Sequence, residues 1–426
     1  DIERGRAVSI SGERSDAETI TDSETLTVAD VVHIGGHTRL LLEAGPDYSY
    51  IRSSVRVNAN LALATHGESF ADTLGSGDAS KANQVFTLAR KPLTFVSAAT
   101  PEGRASTLEV RVDGILWHEV ASLYDAGPYD RAYEVRIDDD GSTRVRFGDG
   151  ERGHRLPTGT LNVTAEYRAG IGAVGEVADE AIILLKTRPL GVRAVVNPSP
   201  ASGSAEPETL GEARVRAPQS VRTLGRIVSL TDYQDFALAF AGIGKARADI
   251  LWSGQEQVVH LTVAPATDSL MDEEATVLGS LRDAIDLVRD GTDSVLIAPY
   301  LRRYFQLSAR LYKHSDYLAD DVAAAAREVL VAGFGYSVRD LARPVSAAEA
   351  VALLQAVPGV IGVDLDSLAL IDGNDPEAEG PGTLATVLPA YPARLLSAGE
   401  GGGTAPAELL TILESAIDIQ VEEANA

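Results

Sequence analysis

The sequence predicts a multidomain α+β protein. It has an antiparallel β-rich N-terminal half, two small α/β sandwich modules and an acidic C-terminal arm. Three observations predict this. Residues 143–177 alternate apolar and polar at period two on both sides of a glycine-rich loop, the pattern of half-buried strands. Beyond residue 230, apolar residues recur at helical spacing between strand-like runs. After residue 371 the chain is acidic and interrupted by Pro and Gly.

Taken in order, residues 1–25 are polar and carry little pattern, as a strand end or linker does. TLTVADVVHI and TRLLLEAG read as short strands broken at Gly35-Gly36. SSVRVNANLALAT places Val55, Val57, Ala59, Leu61 and Leu63 on one face of a further strand. LEVRV, Asp113-Gly114 and ILWHEV predict a hairpin with a two-residue type I′ turn. Tyr133, Val135 and Ile137 alternate, and Asp138–Gly141 turns the chain into TRVRF. Thr143, Val145 and Phe147 then face Leu161, Val163, Ala165 and Tyr167 across the loop FGDGERGHRLPTG, which predicts a long-looped hairpin. Together these make residues 1–185 an antiparallel β domain.

Residues 186–212 hold four Pro and little periodicity and predict a linker. The first α/β module is expected over 213–312. Its opening helix carries Thr231, Asp232, Tyr233 and Phe236, with Thr231 and Gln234 as a capping box. Strands ARADILW and QVVHLTVAP, a helix near 272–290, and an extended run broken at Pro299 follow. The second module is expected over 313–371, with helices near 318–332 and after Ser346, then the strand VIGVDLDSLALI. Residues 372–426 predict a flexible arm ending in an amphipathic helix, with Leu409, Leu410, Leu413, Ala416 and Ile417 on one face. That helix fits docking on a partner and folding back on the chain's own core equally well.

The totals narrow the function. At 426 residues and 45% apolar content, roughly two to four domains are expected. The 37 basic and 62 acidic residues give a net charge of −25, which argues against nucleic-acid binding. Such charge serves solubility, or an acidic surface that meets basic partner subunits. Without Cys there is no disulfide framework, which suits folding in a reducing cytoplasm. No apolar run is long enough to span a bilayer, and the start at Asp1 resembles no signal peptide. That start predicts a fragment or processed chain whose N-terminal domain is missing.

Motifs that suggest chemistry fail in context. Gly170, Gly172 and Gly175 match G-x-G-x-x-G, but the preceding strands are antiparallel and no acid follows at the dinucleotide spacing. Asp138, Asp139, Asp140 and Asp149 lack the alternating ligand order of a calcium loop, so a turn is the simpler reading. His33 and His37 are split by two glycines, and no metalloprotease, phosphate-loop or nucleophile-elbow motif is present. No catalytic, cofactor or metal residue is therefore assigned. A carboxylate pair of the kind that hydrolyses glycosides is defined in space, so the sequence leaves it open.

Residues 147–175 also carry a resemblance. Phe147-Gly148-Asp149-Gly150, then Pro157 and Gly159 of LPTG, then Tyr167, Gly170, Gly172 and Gly175, resemble the signature of baseplate J-like proteins. HGESFADTLGSGDAS, KPLTFVSAATPEG, LEVRVDGILWHEVASLY and VRTLGRIVSLTDYQDFALAFAGIGKARADI extend it from about residue 50 to 371, towards the putative baseplate assembly branch. Glu176 departs from it, since relatives commonly place Asn there. The resemblance implies a non-enzymatic wedge subunit of a phage tail-like contractile injection system. It implies copies of the chain, a second wedge protein, or both in a six-fold baseplate, with spike-hub, collar and sheath-initiating subunits as further partners. It implies assembly in the cytoplasm into a particle, with or without later release, and neither nucleic-acid binding nor membrane insertion. A polysaccharide hydrolase and a receptor-binding adhesin are the alternatives.

Overall fold

The computed structural model describes residues 2–15, 21–43, 45–46, 49–198, 201, 203–204, 206–211, 213–214, 226–252, 256–268, 271, 276–289, 291, 294–371, 384–396 and 403–423. The chain divides into two units, residues 1–94 with 106–206, and residues 95–105 with 207–426.

The first unit opens with a four-stranded antiparallel sheet of β1 (Ala7–Glu13), β2 (Thr21–Ile34), β3 (His37–Leu42) and β4 (Arg56–Asn58), in the order β3-β2-β1-β4. Residues 1–25 thus hold a strand and the start of another. Their short apolar content hides it, but Val8 is buried against the sheet. Gly35 and Gly36 turn β2 into β3 with φ of 62° and 80°, which suits a tight right-twisted hairpin. The strand expected over 53–65 shrinks to β4, and Leu63 is 95% exposed.

The larger sheet of this unit contains β5 (Glu68–Gly75) and β6 (Val85–Thr87). In chain order come β7 (Phe95–Ser97) and β8 (Arg104–Ser106), which pair separately. The sheet resumes with β9 (Glu109–Val112), β10 (Ile115–Val120), β11 (Ala132–Ile137), β12 (Thr143–Phe147) and β13 (Val163–Ala169). The order β5-β13-β9-β10-β11-β12-β6 makes a nearly closed sheet. Asp113 and Gly114 both take positive φ, 52° and 76°, as the I′ turn between β9 and β10 requires. One pair, β10–β11, is parallel. The crossover through residues 121–131 provides the length that parallel pairing needs.

The long-looped hairpin is corrected. β12 pairs with β11 and β6, and β13 pairs with β9 and β5, so three strands lie between them. Period-two patterning reports that a segment is a strand, not which strand it joins. Here the tight turn at 138–142 joins β12 to β11, while both partners of β13 are distant in the chain.

In the second unit, α1 (Leu230–Ala239), β14 (Ile243–Trp252), β15 (Gln257–Pro265), α2 (Thr276–Val288) and β16 (Ser294–Pro299) form the first α/β module. Its sheet runs β14-β15-β16, antiparallel then parallel. Tyr233, Phe236 and Phe240 meet Leu278, Leu281 and Ile285 over Leu261 and Val263. The second module follows with β17 (Leu301–Lys313), α3 (Ala319–Phe334), β18 (Val345–Ser346), α4 (Ala347–Gln355) and β19 (Val360–Ile371). β17 is the central strand of the second sheet, so it lies on the second module's side of the boundary expected at 312–313.

The expected C-terminal arm is overturned where it is described. Residues 372–383, 397–402 and 424–426 of that segment lie outside the described residues. The others form β20 (Val387–Leu388), β21 (Arg394–Leu395), β22 (Thr404–Ala405) and β23 (Glu408–Glu423). The terminal helix is a strand: β23 pairs parallel to β17, in a sheet of order β19-β17-β23. Residues 408–412 are buried without alternation because both faces are covered. Leu410 and Ile412 enter the main core, and Leu409 meets Tyr300, Tyr336 and Leu341. The register then breaks between Phe305 and Leu307 of the partner strand. Ile417 and Ile419 resume the inward face in a new phase. That phase slip mimics helical spacing, and a distant partner strand decides the outcome.

Arg339 anchors the loop between α3 and β18. It is fully buried, and its Nη2 donates to the carbonyls of Arg343 and Pro344 at 2.5 and 2.7 Å.

Candidate functional site

The sequence singles out two places, one in each unit. In the first unit, Phe147 ends β12 with its ring buried among Phe86, Trp117 and Tyr133, at centroid distances of 5.9, 5.4 and 6.3 Å. The chain then folds tightly on itself. A Cβ on Gly148 would stand 2.2 Å from the Gly153 carbonyl oxygen, so no side chain fits there. Gly150 takes φ of 92° and donates its N–H to that same carbonyl at 2.9 Å. Asp149 Oδ1 accepts from the backbone N–H of Glu151 and of Arg152, each at 2.8 Å. The Arg152 N–H, then that of Glu151, holds the carboxyl below its ordinary value. Because the folded value is depressed, this support is complete above the ordinary carboxylate range and is lost as pH falls through the lowered value. Amide exchange at Glu151 and Arg152 is therefore expected to accelerate on acidification, after correction for intrinsic rates, and Asp149→Ala to remove that dependence.

The LPTG half of the loop closes against the segment that follows β5, residues 76–79. Leu156 is fully buried. Gly159 N–H donates to the Gly77 carbonyl at 3.1 Å, and Ala79 N–H donates to Thr158 Oγ1 at 3.0 Å. Pro157 offers its carbonyl to Asn162 Nδ2 at 3.3 Å. Asn162 also accepts from Gly77 N–H at 2.8 Å and reaches Asp113 at 3.3 Å. Sequence reading passed over Asn162; its position at the exit of a glycine-rich loop was the available signal. Tyr167 donates to Asp72 Oδ2 at 2.5 Å and accepts from Arg90 N–H at 2.9 Å. Burial, then the bond to Asp72, pushes its phenol up to about 12. Gly170 and Gly175 lie against the His66 ring, and Gly172 against the Glu206 carboxylate. The glycines of the G-x-G-x-x-G run thus make room for neighbouring side chains.

Three of the four acids considered for calcium, Asp138, Asp140 and Asp149, are engaged otherwise. Asp138 pairs with Arg144 at 2.7 Å. Lys91 and Ser142 hold the Asp140 carboxyl well below the usual range. Among the described residues, no three His, Asp or Glu come together as a metal site requires.

In the second unit, the opening helix is capped two residues earlier than Thr231 suggested. Ser229 is the N-cap: its Oγ accepts from Asp232 N–H at 3.2 Å, and Asp232 Oδ2 accepts from Ser229 N–H at 2.8 Å. Thr231 lies inside the helix. S-x-x-D closes the box as well as T-x-x-Q does, and position decides between them. Burial pulls the Asp232 carboxyl upward, but the N–H groups of Ser229 and Val228 and the Ser229 hydroxyl hold it below its ordinary value. Tyr233 and Phe236 are buried in the module core. The hairpin of β7 and β8 belongs to this unit: Glu102 offers its carbonyl to Ala241 N–H at 3.1 Å, and Gly103 lies flat on the Phe240 ring.

The sequence-predicted residues are thus brought together in two separate groups, each consumed in holding its own fold. Residues 225–298, from just before α1 almost to the end of β16, match the Baseplate J-like central domain. No curated protein matches the chain. Among solved structures, the "Cryo-EM structure of the anti-feeding prophage (AFP) baseplate, 6-fold symmetrised" aligns over 95% of this chain and 76% of that one, at 12% identity and a TM-score of 0.32. That score is too low to establish a shared fold, so the weight rests on the domain match.

Proposed function

We propose that this chain, which carries a baseplate J-like central domain, is a structural wedge subunit in the baseplate of a phage tail-like contractile injection system. The match over residues 225–298 is the observation that carries the reading. The glycine-rich loop supports it, because its polar groups are spent on one another and it works as a rigid scaffold.

In this reading the β-rich half, the two α/β modules and the following strands form the domains of one wedge. Its partners are copies of itself, a second wedge protein, or both around a six-fold ring, with spike-hub, collar and sheath-initiating subunits beyond. It assembles in the cytoplasm and works as one element of a bistable assembly whose rearrangement is coupled to sheath contraction. Deleting its coding sequence tests this. Electron microscopy of the producing cells should show no complete, contractile particles, with assembly restored by the intact chain. Normal firing particles in its absence overturn the reading, and turnover of peptidoglycan by the purified chain replaces it with the hydrolase.

A further inference from the structure

Residues 176–198 of the first unit run without helix or strand. Within them Ala181-Ile182-Ile183-Leu184-Leu185 places five apolar residues in a row. Ile183 and Leu184 are each 73% exposed, Ile182 is 39% exposed, and Leu185 is half-buried. Single apolar side chains scattered over a surface are ordinary, but a consecutive run left in water is not. A plain spacer carries polar residues instead.

The run belongs to a loop tied at its neck. Glu180 N–H donates to the Asn197 carbonyl at 2.9 Å, Ile182 N–H to Asn197 Oδ1 at 2.8 Å, and Asn197 Nδ2 to the Ala178 carbonyl at 2.8 Å. At the far end Lys186 Nζ meets Glu68 Oε1 on β5 at 2.8 Å. Between these ties the N–H groups of Ile183, Leu184 and Leu185 meet no acceptor among the described residues. Backbone groups alternate sides along an extended run. Ile182 turns its N–H towards Asn197, so residues 181, 183 and 185 turn theirs the other way. One edge of the run is thus taken by the loop's own return, and the other is open.

The charges say what fits the open edge. Asp179 and Glu180 precede the run, and Lys186 and Arg188 follow it. Glu180 takes φ of 55°, which ends the extended stretch, so Glu180 and Lys186 bracket it. Laid antiparallel on itself about Ile183, the segment sets Ala181 opposite Leu185, Ile182 opposite Leu184, and Glu180 opposite Lys186 at both ends. Residues 181, 183 and 185 then take the hydrogen-bonded positions. Glu180 and Lys186 fall at the non-hydrogen-bonded ones, where facing side chains come closest. The segment is its own complement, as an isologous contact requires.

We propose that residues 181–185 of two copies of this chain pair as antiparallel strands across a two-fold axis at Ile183. Association stops at two, because each loop has one open edge. Lys186 gives up or shares Glu68, an exposed ion pair that costs little to exchange. So short a ribbon holds weakly by itself and gains where copies are already held close. The pairing takes its setting from the wedge reading, which counts copies of the chain among its partners, but the purified chain shows it alone.

The chain has no Cys, so one substitution creates one thiol. Ile183→Cys places that thiol on the two-fold axis, where facing Cα atoms lie about 5.5 Å apart, within disulfide reach. Ile183 is exposed, so the fold does not depend on it. Under mild oxidation the full chain carrying Ile183→Cys should form covalent dimers about tenfold faster than one carrying Leu63→Cys, which is at least as exposed but lies outside the run. Glu180→Lys and Lys186→Glu are then each added to Ile183→Cys. Each chain should dimerise slowly alone, and the two should cross-link quickly when mixed, because only the mixed pair sets opposite charges at both ends. Equal rates for Ile183→Cys and Leu63→Cys, or a mixture no faster than its components, overturns the proposal. Such a failure leaves the wedge reading to its own particle experiment.

Discussion

A chain that stops after Ala407 is expected to lose its second α/β module. The truncation removes β23 and with it Leu410, Ile412, Ile417 and Ile419 from the core built on Phe305, Leu307, Leu330 and Phe334. Each such side chain contributes about 1.5–3 kcal/mol when fully buried, so the loss rivals the ~5–15 kcal/mol that holds a whole domain together. It also strips the hydrogen-bonded edge of β17 along its length, from Leu301 to Lys313. Urea unfolding followed by circular dichroism should show one transition missing. Leu410→Ala gives the graded version, with an expected cost of about 2–5 kcal/mol. A cost under about 1 kcal/mol would place β23 outside the core and contradict the pairing.

The second large effect belongs to the glycine-rich loop. Phe147→Ala should cost about 3–5 kcal/mol, because the ring fills the space between Phe86, Trp117 and Tyr133 and no neighbour is placed to replace it. Gly148→Val should be as damaging by the opposite route. Its Cβ would meet three backbone atoms, the carbonyl oxygen and carbon of Gly153 and the Arg152 oxygen, none of which can turn aside as a side chain can. Forcing it in separates the loop's two halves and exposes Trp117, whose fluorescence reports the change directly. Both variants should leave the α2 and α3 amides of the second unit protected. Native-like Trp117 emission in Gly148→Val would show that the loop has room the geometry denies.

Most individual elements were legible in the sequence, and their partners were not. The Asp113-Gly114 turn, β19 and the helix that became α2 could be read from local chemistry, since turn residues and periodicity act over a few positions. What failed depends on distant residues. β12 and β13 were joined because they are neighbours in the chain, while the sheet assigns each to other strands. β23 looked helical because its two halves pair in different phases. The cap of α1 was misplaced by two residues, which is the usual limit of boundary reading. In the site, Phe147, Gly148 and Asp149 came from the resemblance of that run to the baseplate J-like signature, whereas Asn162 and Arg339 needed coordinates. A lone Asn or Arg has no sequence pattern that announces burial.

The pairing of Leu301 with Glu408 has a consequence for how the protein is made. During synthesis the central strand of the second module emerges long before the strand that completes its sheet. Until then an apolar edge waits uncovered, a target for chaperones, proteases and other nascent chains. Long-range parallel closure of this kind is slow. Chains broken off before residue 408 keep that edge exposed and are thereby marked for removal.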